Sequence, residues 1–256
     1  MSIEIKHNPS LDLKIPEFTC DGGLGDHLNN YDMLRNLNGF KFTGLIGKPG
    51  SGKTSLLVSF LTGRGKNKVF RKTFHHILLV MPSTSRQSMK KNIFEKHPGD
   101  KMFEELDRET IENIYNRLLA TSEEKETTLL ILDDVGSSLK DNVIQKTLRK
   151  IIYNRRHLKC HIVIMLQSFL SLPREVRKLL NNIFAWKPSK VEFENLFAEL
   201  FETKKEMALD IMKVAYQDPH DYLMLNVDSQ RMFRGFDEII VHEPGDDDRG
   251  DDEKSS

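Results

Sequence analysis

Residues 47–54 read GKPGSGKT, a complete G-x-x-x-x-G-K-[ST] pattern, and no other stretch restricts the fold of this chain so strongly. The pattern works only where a strand ends and a helix begins. Backbone N–H groups of the turn converge on a phosphate there, and glycines permit positive φ and close approach. The flanks agree: FKFTGLI, residues 40–46, reads as a strand, and SLLVSFL after the loop reads as a helix. Gly47, Lys48, Pro49, Gly50, Ser51, Gly52, Lys53, Thr54 and Ser55 are therefore the expected phosphate-contacting residues. Lys53 brings a point charge to the β- and γ-phosphates, Thr54 offers its hydroxyl to Mg²⁺, and the helix N-terminus adds its own positive end. ATP with Mg²⁺ is the ligand this chemistry suits. A second glycine-rich stretch, DGGLG at residues 21–25, follows no strand and precedes no Lys-Thr pair, so it reads as a loop.

Beyond the loop, short apolar runs alternate with helical patterns. HHILLVM (75–81), TLLILDD (128–134), HIVIML (161–166) and IFAW (183–186) read as strands. Between them, Thr110–Ala120 carries apolar residues at 111, 114, 118 and 119. Residues 141–153 place Ile144, Leu148, Ile151 and Ile152 on one face. LPREVRKLLNN is expected as a helix, Val191–Ala215 as two acidic helices, and DYLMLNV with RMFRGF as a closing hairpin. The fold class is α/β: a mostly parallel sheet covered by helices on both faces, with a C-terminal β hairpin. Residues 1–38 read as an N-terminal extension, 39–235 as the ATPase domain and 236–256, ending GDDDRGDDEKSS, as an acidic disordered tail.

The longest apolar runs are five or six residues, against about 20 for a bilayer span, so no membrane span is expected. The start, MSIEIKHNPS, has no secretory pattern, and Cys20 and Cys160 cannot build a disulfide framework, so a reducing compartment is expected. The 38 basic and 38 acidic residues cancel, but they are sorted along the chain. Residues 33–94 hold twelve Lys or Arg and no acid, and residues 135–190 hold twelve against two acids. Such blocks suit a polyanion, although a solvated face is the ordinary outcome of a charge run. Lys146, Arg149 and Lys150, at i, i+3 and i+4 opposite Ile144 and Leu148, are expected to meet duplex DNA phosphates.

A phosphate loop of this kind needs an acid at a strand end facing it. LLILDD supplies two: Asp133 is the candidate metal ligand, and Asp134 is placed to accept a proton from the attacking water. Gln167 closes the next apolar run, where it can hydrogen-bond the γ-phosphate or that water. Arg156, in YNRRH before the same strand, carries a planar fork suited to a neighbouring subunit's γ-phosphate; Arg155 and Arg156 are equally well read as cations at a helix C-terminus. His75, His76, Cys160, His157 and His161 fit no zinc spacing and read as packing residues at strand edges.

Taken together, GKPGSGKT, LLILDDV and NRRHLKCHIVIMLQS resemble the FtsK/HerA superfamily of ring-forming DNA translocases, P-loop NTPases of RecA/FtsK-like fold. They look closest to the poxvirus-type DNA-packaging ATPases of large eukaryotic DNA viruses. The matching positions are Asp133 and Asp134, Arg156 and His157, and Gln167, and the likeness covers residues 40–190. Cellular members usually carry Glu where this chain has Asp134. The resemblance implies a homo-oligomeric ring, hexamer or pentamer, that uses ATP to drive double-stranded DNA into a preformed capsid. It also implies a capsid or internal-membrane protein as partner at the packaging vertex. The cytoplasm of an infected cell, at the virus factory, is the implied location, with the virion as a further one.

Other readings differ at identifiable residues. A GTPase needs N-K-x-D, but Asn67-Lys68 is followed by Val69 and Phe70; an ABC-type signature such as LSGGQ is absent. A terminase-like protein would add a nuclease domain. Two alternatives stay open: a P-loop kinase of nucleosides or nucleotides, and a nucleotide-dependent capsid-assembly protein that moves no DNA.

Overall fold

A computed structural model of the chain describes residues 23–87, 89, 92–201 and 205–241. The sheet-forming order begins with a one-turn helix α1 (Asp32–Arg35), β1 (Phe42–Ile46), α2 (Lys53–Thr62), β2 (His76–Val80), α3 (Ser83–Gln87), β3 (Met102–Phe103), α4 (Arg108–Glu123) and β4 (Thr128–Asp133). It continues with α5 (Asn142–Tyr153), β5 (Cys160–Leu166), α6 (Arg174–Arg177), β6 (Asn182–Trp186), α7 (Lys190–Leu200), α8 (Lys205–Ala215), β7 (Tyr222–Asn226), β8 (Arg231–Arg234) and β9 (Asp237–Ile239). The nine strands form one sheet in the order β3-β2-β4-β5-β1-β6-β7-β8-β9. β3 through β6 are parallel and β7 to β9 add an antiparallel end.

The period of two along each strand divides the core. Leu130, Leu132, Ile162 and Ile164 face the side covered by α4, α5, α7 and α8. Their neighbours Leu129, Ile131, Val163 and Met165 face the side covered by α2 and the chain before β1. Strands buried on both faces have no polar alternation to show, which is why they read as continuous apolar runs. Side chains start the covering helices: Asp107 accepts from Thr110 N–H, Asp141 from Val143 and Ile144 N–H, and Ser189 from Glu192 N–H.

Several expectations need correction. The segment from Leu172 does not form one long helix; α6 spans Arg174–Arg177 only. Asn181 ends it, accepting from Phe42 N–H through its side chain at 2.9 Å and donating its own N–H to the Phe42 carbonyl at 2.9 Å. The chain is thereby turned into β6. Residues before 39 are not a separate extension throughout, because Leu28, Met33, Leu34 and Leu37 are buried in the sheet's second core. At the other end the sheet runs past residue 235, with Asp237 paired to Arg234 in β9; the acidic stretch 242–256 lies outside the described residues, as do residues 1–22. His161 and Cys160 are strand-core residues. His161 packs edge-on against Phe70 at 4.9 Å between ring centroids, and burial pushes its imidazole down to about 4.

One polar cluster ties the edge of the domain together. Asn182 Nδ2 donates to the Asn36 carbonyl at 2.9 Å, and its Oδ1 accepts from Asn226 Nδ2 at 2.8 Å across the β6–β7 pair. Asn182 is fully buried. Replacing it with Leu strands the buried Asn226 amide and the half-buried Asn36 carbonyl, so Asn182→Leu is expected to lower stability by about 2 kcal/mol in denaturant unfolding.

Candidate active site

The C-terminal ends of β4, β5 and β1 come out side by side, with β5 between the acid-bearing strand and the loop-bearing strand. Gly47 N–H donates to the Leu166 carbonyl at 3.0 Å, so the loop leaves β1 fastened to the end of β5. Two glycines are then required by geometry. A Cβ on Gly47 would lie 2.8 Å from Trp186 Cβ, and Gly52, at φ 115°, occupies the left-handed region just before α2. No side chain caps α2, so its first N–H groups face the loop's concavity. Ser51 Oγ is buried without a hydrogen-bond partner. The several oxygens of a phosphate group would accept from these donors, and the residues fit a nucleotide's phosphates.

Lys53 begins α2 and folds back, its ammonium donating to the Gly47 carbonyl and, at 3.1 Å, to the Lys48 carbonyl. Burial lowers its pKa, while the charges of Asp133 and Asp134 work in the opposite direction. Asp133 is the last residue of β4, paired with Met165 of β5. Burial, with the Asp134 charge beside it, pushes its carboxyl up to about 6, although Lys53 pulls the other way. Asp134 follows at φ 55°, its N–H donating to the Met165 carbonyl at 3.2 Å. That turn aims Asp134 at Gln167, whose Nε2 donates to Asp134 Oδ1 at 3.3 Å. Asp133, Asp134 and Gln167 are thus brought together beside the loop. Hard oxygen donors, Thr54 and Asp133, stand there for a cation that a crowded carboxylate pair favours.

Arg156 is not in this group. It is exposed in the turn between α5 and β5, at the opposite end of β5 from Gln167. The seven residues of β5, at about 3.3 Å each, separate the two ends by roughly 20 Å. Its neighbour Arg155 takes the helix-end role, donating through Nη1 to the Ile152 carbonyl and through Nε to the Phe40 carbonyl, both at 2.9 Å.

Sequence reasoning missed three residues at the loop. Trp186, His220 and Tyr222 line a cavity of roughly 730 Å³ with residues 50–56. Trp186 ends β6, adjacent to β1, and its position at a strand tip was a usable signal. His220 and Tyr222 arrive on the antiparallel return, and no motif marks them.

The sequence model of the family described as Poxvirus A32 protein matches residues 29–250. The chain belongs to that family. Solved structures share its fold at low identity. The genome packaging NTPase B204 from Sulfolobus turreted icosahedral virus 2, in complex with ATP-gammaS, is 16% identical with a TM-score of 0.59, covering 76% of this chain and 96% of that one. The crystal structure of B204, the DNA-packaging ATPase from Sulfolobus turreted icosahedral virus, is 15% identical at TM-score 0.58, covering 79% and 98%. The cytoplasmic domain of the Thermomonospora curvata type VII secretion ATPase EccC is 14% identical at TM-score 0.50, covering 81% of this chain and 26% of that one. No curated protein matches. The family match extends on both sides of the motif region at residues 40–190, consistent with the packing of residues 28–37 into the core.

The raised pKa of Asp133 has a stability consequence. From 3.8 to about 6, the folded nucleotide-free protein holds this proton more tightly than the unfolded chain, so the group's stabilising contribution is complete below about pH 3.8 and disappears as pH rises through about 6. Asp133→Asn removes the penalty. It is expected to stabilise the nucleotide-free protein by about 3 kcal/mol at pH 8 and about half that at pH 5, read from denaturant unfolding at both pH values.

Proposed function

We propose that the chain hydrolyses ATP to drive double-stranded DNA into a preformed capsid, working as a ring of its own copies. Membership of the poxvirus A32 family makes it an ATPase of viral DNA packaging. The observation that carries the mechanism is the convergence of Lys53, Asp133, Asp134 and Gln167 at the ends of three adjacent strands. The fold shared with packaging NTPases supports the same reading.

In this reading the loop amides and Lys53 hold the β- and γ-phosphates. Lys53 exchanges its two backbone carbonyl acceptors for phosphate oxygens, and the incoming negative charge offsets the burial of its ammonium. Thr54 and Asp133 would hold Mg²⁺, which supplies positive charge to the phosphates when bound. Asp134 accepts the proton of the attacking water. Gln167, already in contact with Asp134, orients that water or the γ-phosphate, so the two residues act as one unit. Duplex DNA is the anionic partner that the basic blocks suit. A capsid or internal-membrane protein at the packaging vertex is the proposed anchor, in the cytoplasm of an infected cell. Among the described residues no helix is long and apolar enough to cross a membrane.

Arg156 sits at the opposite end of β5 from the site, so a role for it at a γ-phosphate requires that it act across a subunit boundary. There its delocalised cation meets charge developing as the terminal bond breaks.

Two measurements test the proposal. ATP turnover should rise with long duplex DNA, and Asp134→Asn should bind ATP normally yet turn it over about 10²-fold more slowly. DNA-indifferent turnover would favour an assembly role, and phosphate transfer to nucleosides a kinase. Separately, Arg156→Ala and Lys53→Ala subunits, each inactive alone, should regain partial activity when mixed into joint rings. Absence of recovery in rings verified as mixed would place Arg156 outside the reaction.

A further inference from the structure

The loop has two flanks, and only one is occupied by acids. Asp133, Asp134 and Gln167 mark the side on which a terminal phosphate is read. A nucleoside triphosphate held this way leaves the loop past Thr54 and Ser55 on the other side. The cavity of roughly 730 Å³ lies there, and its far wall is Trp186, Tyr222 and His220. The half-buried Tyr222 ring borders the cavity, and against it pack Trp186, only 3% exposed, and Phe184, at ring-centroid distances of 5.5 and 5.6 Å and tilts of 51° and 57°. His220 is an exposed turn residue whose Nδ1 lies 3.2 Å from the Ser51 carbonyl oxygen, so the turn before β7 touches the loop itself. Helix α2 provides a ruler. At about 1.5 Å per residue, Ser59 stands about 6 Å beyond Ser55. Ser59 and Tyr222 line both this cavity and an adjoining one of roughly 660 Å³. A ribose and its base cover that distance.

We propose that this compartment is the nucleoside subsite: a purine base stacks on the Tyr222 ring, with His220 bordering it from the turn. The inference rests on the phosphate-loop reading above and extends it to residues outside every motif of the chain. Stacking fits because each base has a π-face, and a purine offers the larger one to the Tyr222 ring. His220 and Tyr222, which would select the nucleotide, therefore come from the antiparallel end of the sheet, whereas the residues that handle its phosphates come from the parallel part.

The test compares two ligands that share phosphates and differ in the nucleoside. ATP and inorganic tripolyphosphate are titrated calorimetrically, with Mg²⁺, into the full chain. His220→Ala and Tyr222→Leu should each weaken ATP about tenfold while leaving tripolyphosphate within about twofold, and Tyr222→Phe should bind ATP like the parent. Equal losses for both ligands would overturn the inference, because His220 and Tyr222 would then only be supporting the loop. Unchanged ATP affinity in both variants would overturn it too. If Tyr222→Leu fails to fold, His220→Ala, at an exposed turn, still decides. A parent protein that binds neither ligand would instead remove the phosphate-loop reading, a distinguishable failure.

Discussion

The hydrogen bond from Gly47 N–H to the Leu166 carbonyl fixes the level at which β1 and β5 stop, and the bond from Asp134 N–H to the Met165 carbonyl does the same for β4 and β5. Everything chemical in the site depends on these two ladder ends. A slip of one residue in β4 would turn Asp133 to the opposite face of the sheet and bring Leu132 to its place. Such a slip would also drive Leu130 and Leu132 out of one core and Leu129 and Ile131 out of the other. Burial of both faces therefore enforces the register that aligns Lys53, Asp133 and Gln167. The site inherits its accuracy from apolar side chains that never touch a ligand.

That dependence explains how much was legible beforehand. β4 and β5 could be read because residues buried on both faces leave uninterrupted apolar runs, and the acids and Gln167 stand where those runs stop. The loop could be read because close backbone approach admits few residue types. Strand order could not, since placing β5 between β4 and β1 is a long-range pairing that no local pattern encodes. β3 escaped notice because two residues carry no periodicity. The segment after Pro173 has helical spacing, but Asn181 bonds the backbone of Phe42 and tertiary pairing overrides local preference. His220 and Ser51 are 169 positions apart, and an ordinary turn sequence such as DPHD says nothing about which loop it will meet.

The charge blocks were legible as sequence and only partly as surface. Folding matches several acids with cations: Lys41 with the distant Asp228 at 2.9 Å, and Arg231 with the distant Asp32, at 2.9 Å, and with Glu238 on the next strand, at 2.6 Å. Pairs of this partly exposed kind contribute at most about 1 kcal/mol each. On α5, Lys150 lies over the Tyr115 ring at 4.2 Å, which holds it beside exposed Lys146 on the outer face, while Ile144 and Leu148 are buried beneath. The amphipathic spacing thus predicted which charges stay outside, though not the partner of each.

Helix α2 differs from α4, α5 and α7 in having no side chain at its start to accept its first N–H groups. Those donors are left to water or to an anion in the loop, so a bound phosphate would cap the helix as well as serve as substrate. A phosphate in the loop would therefore sit at the start of the same ten-residue helix that carries Leu57 and Phe60 into the core, where Phe60 meets the rings of Phe70 and Phe184.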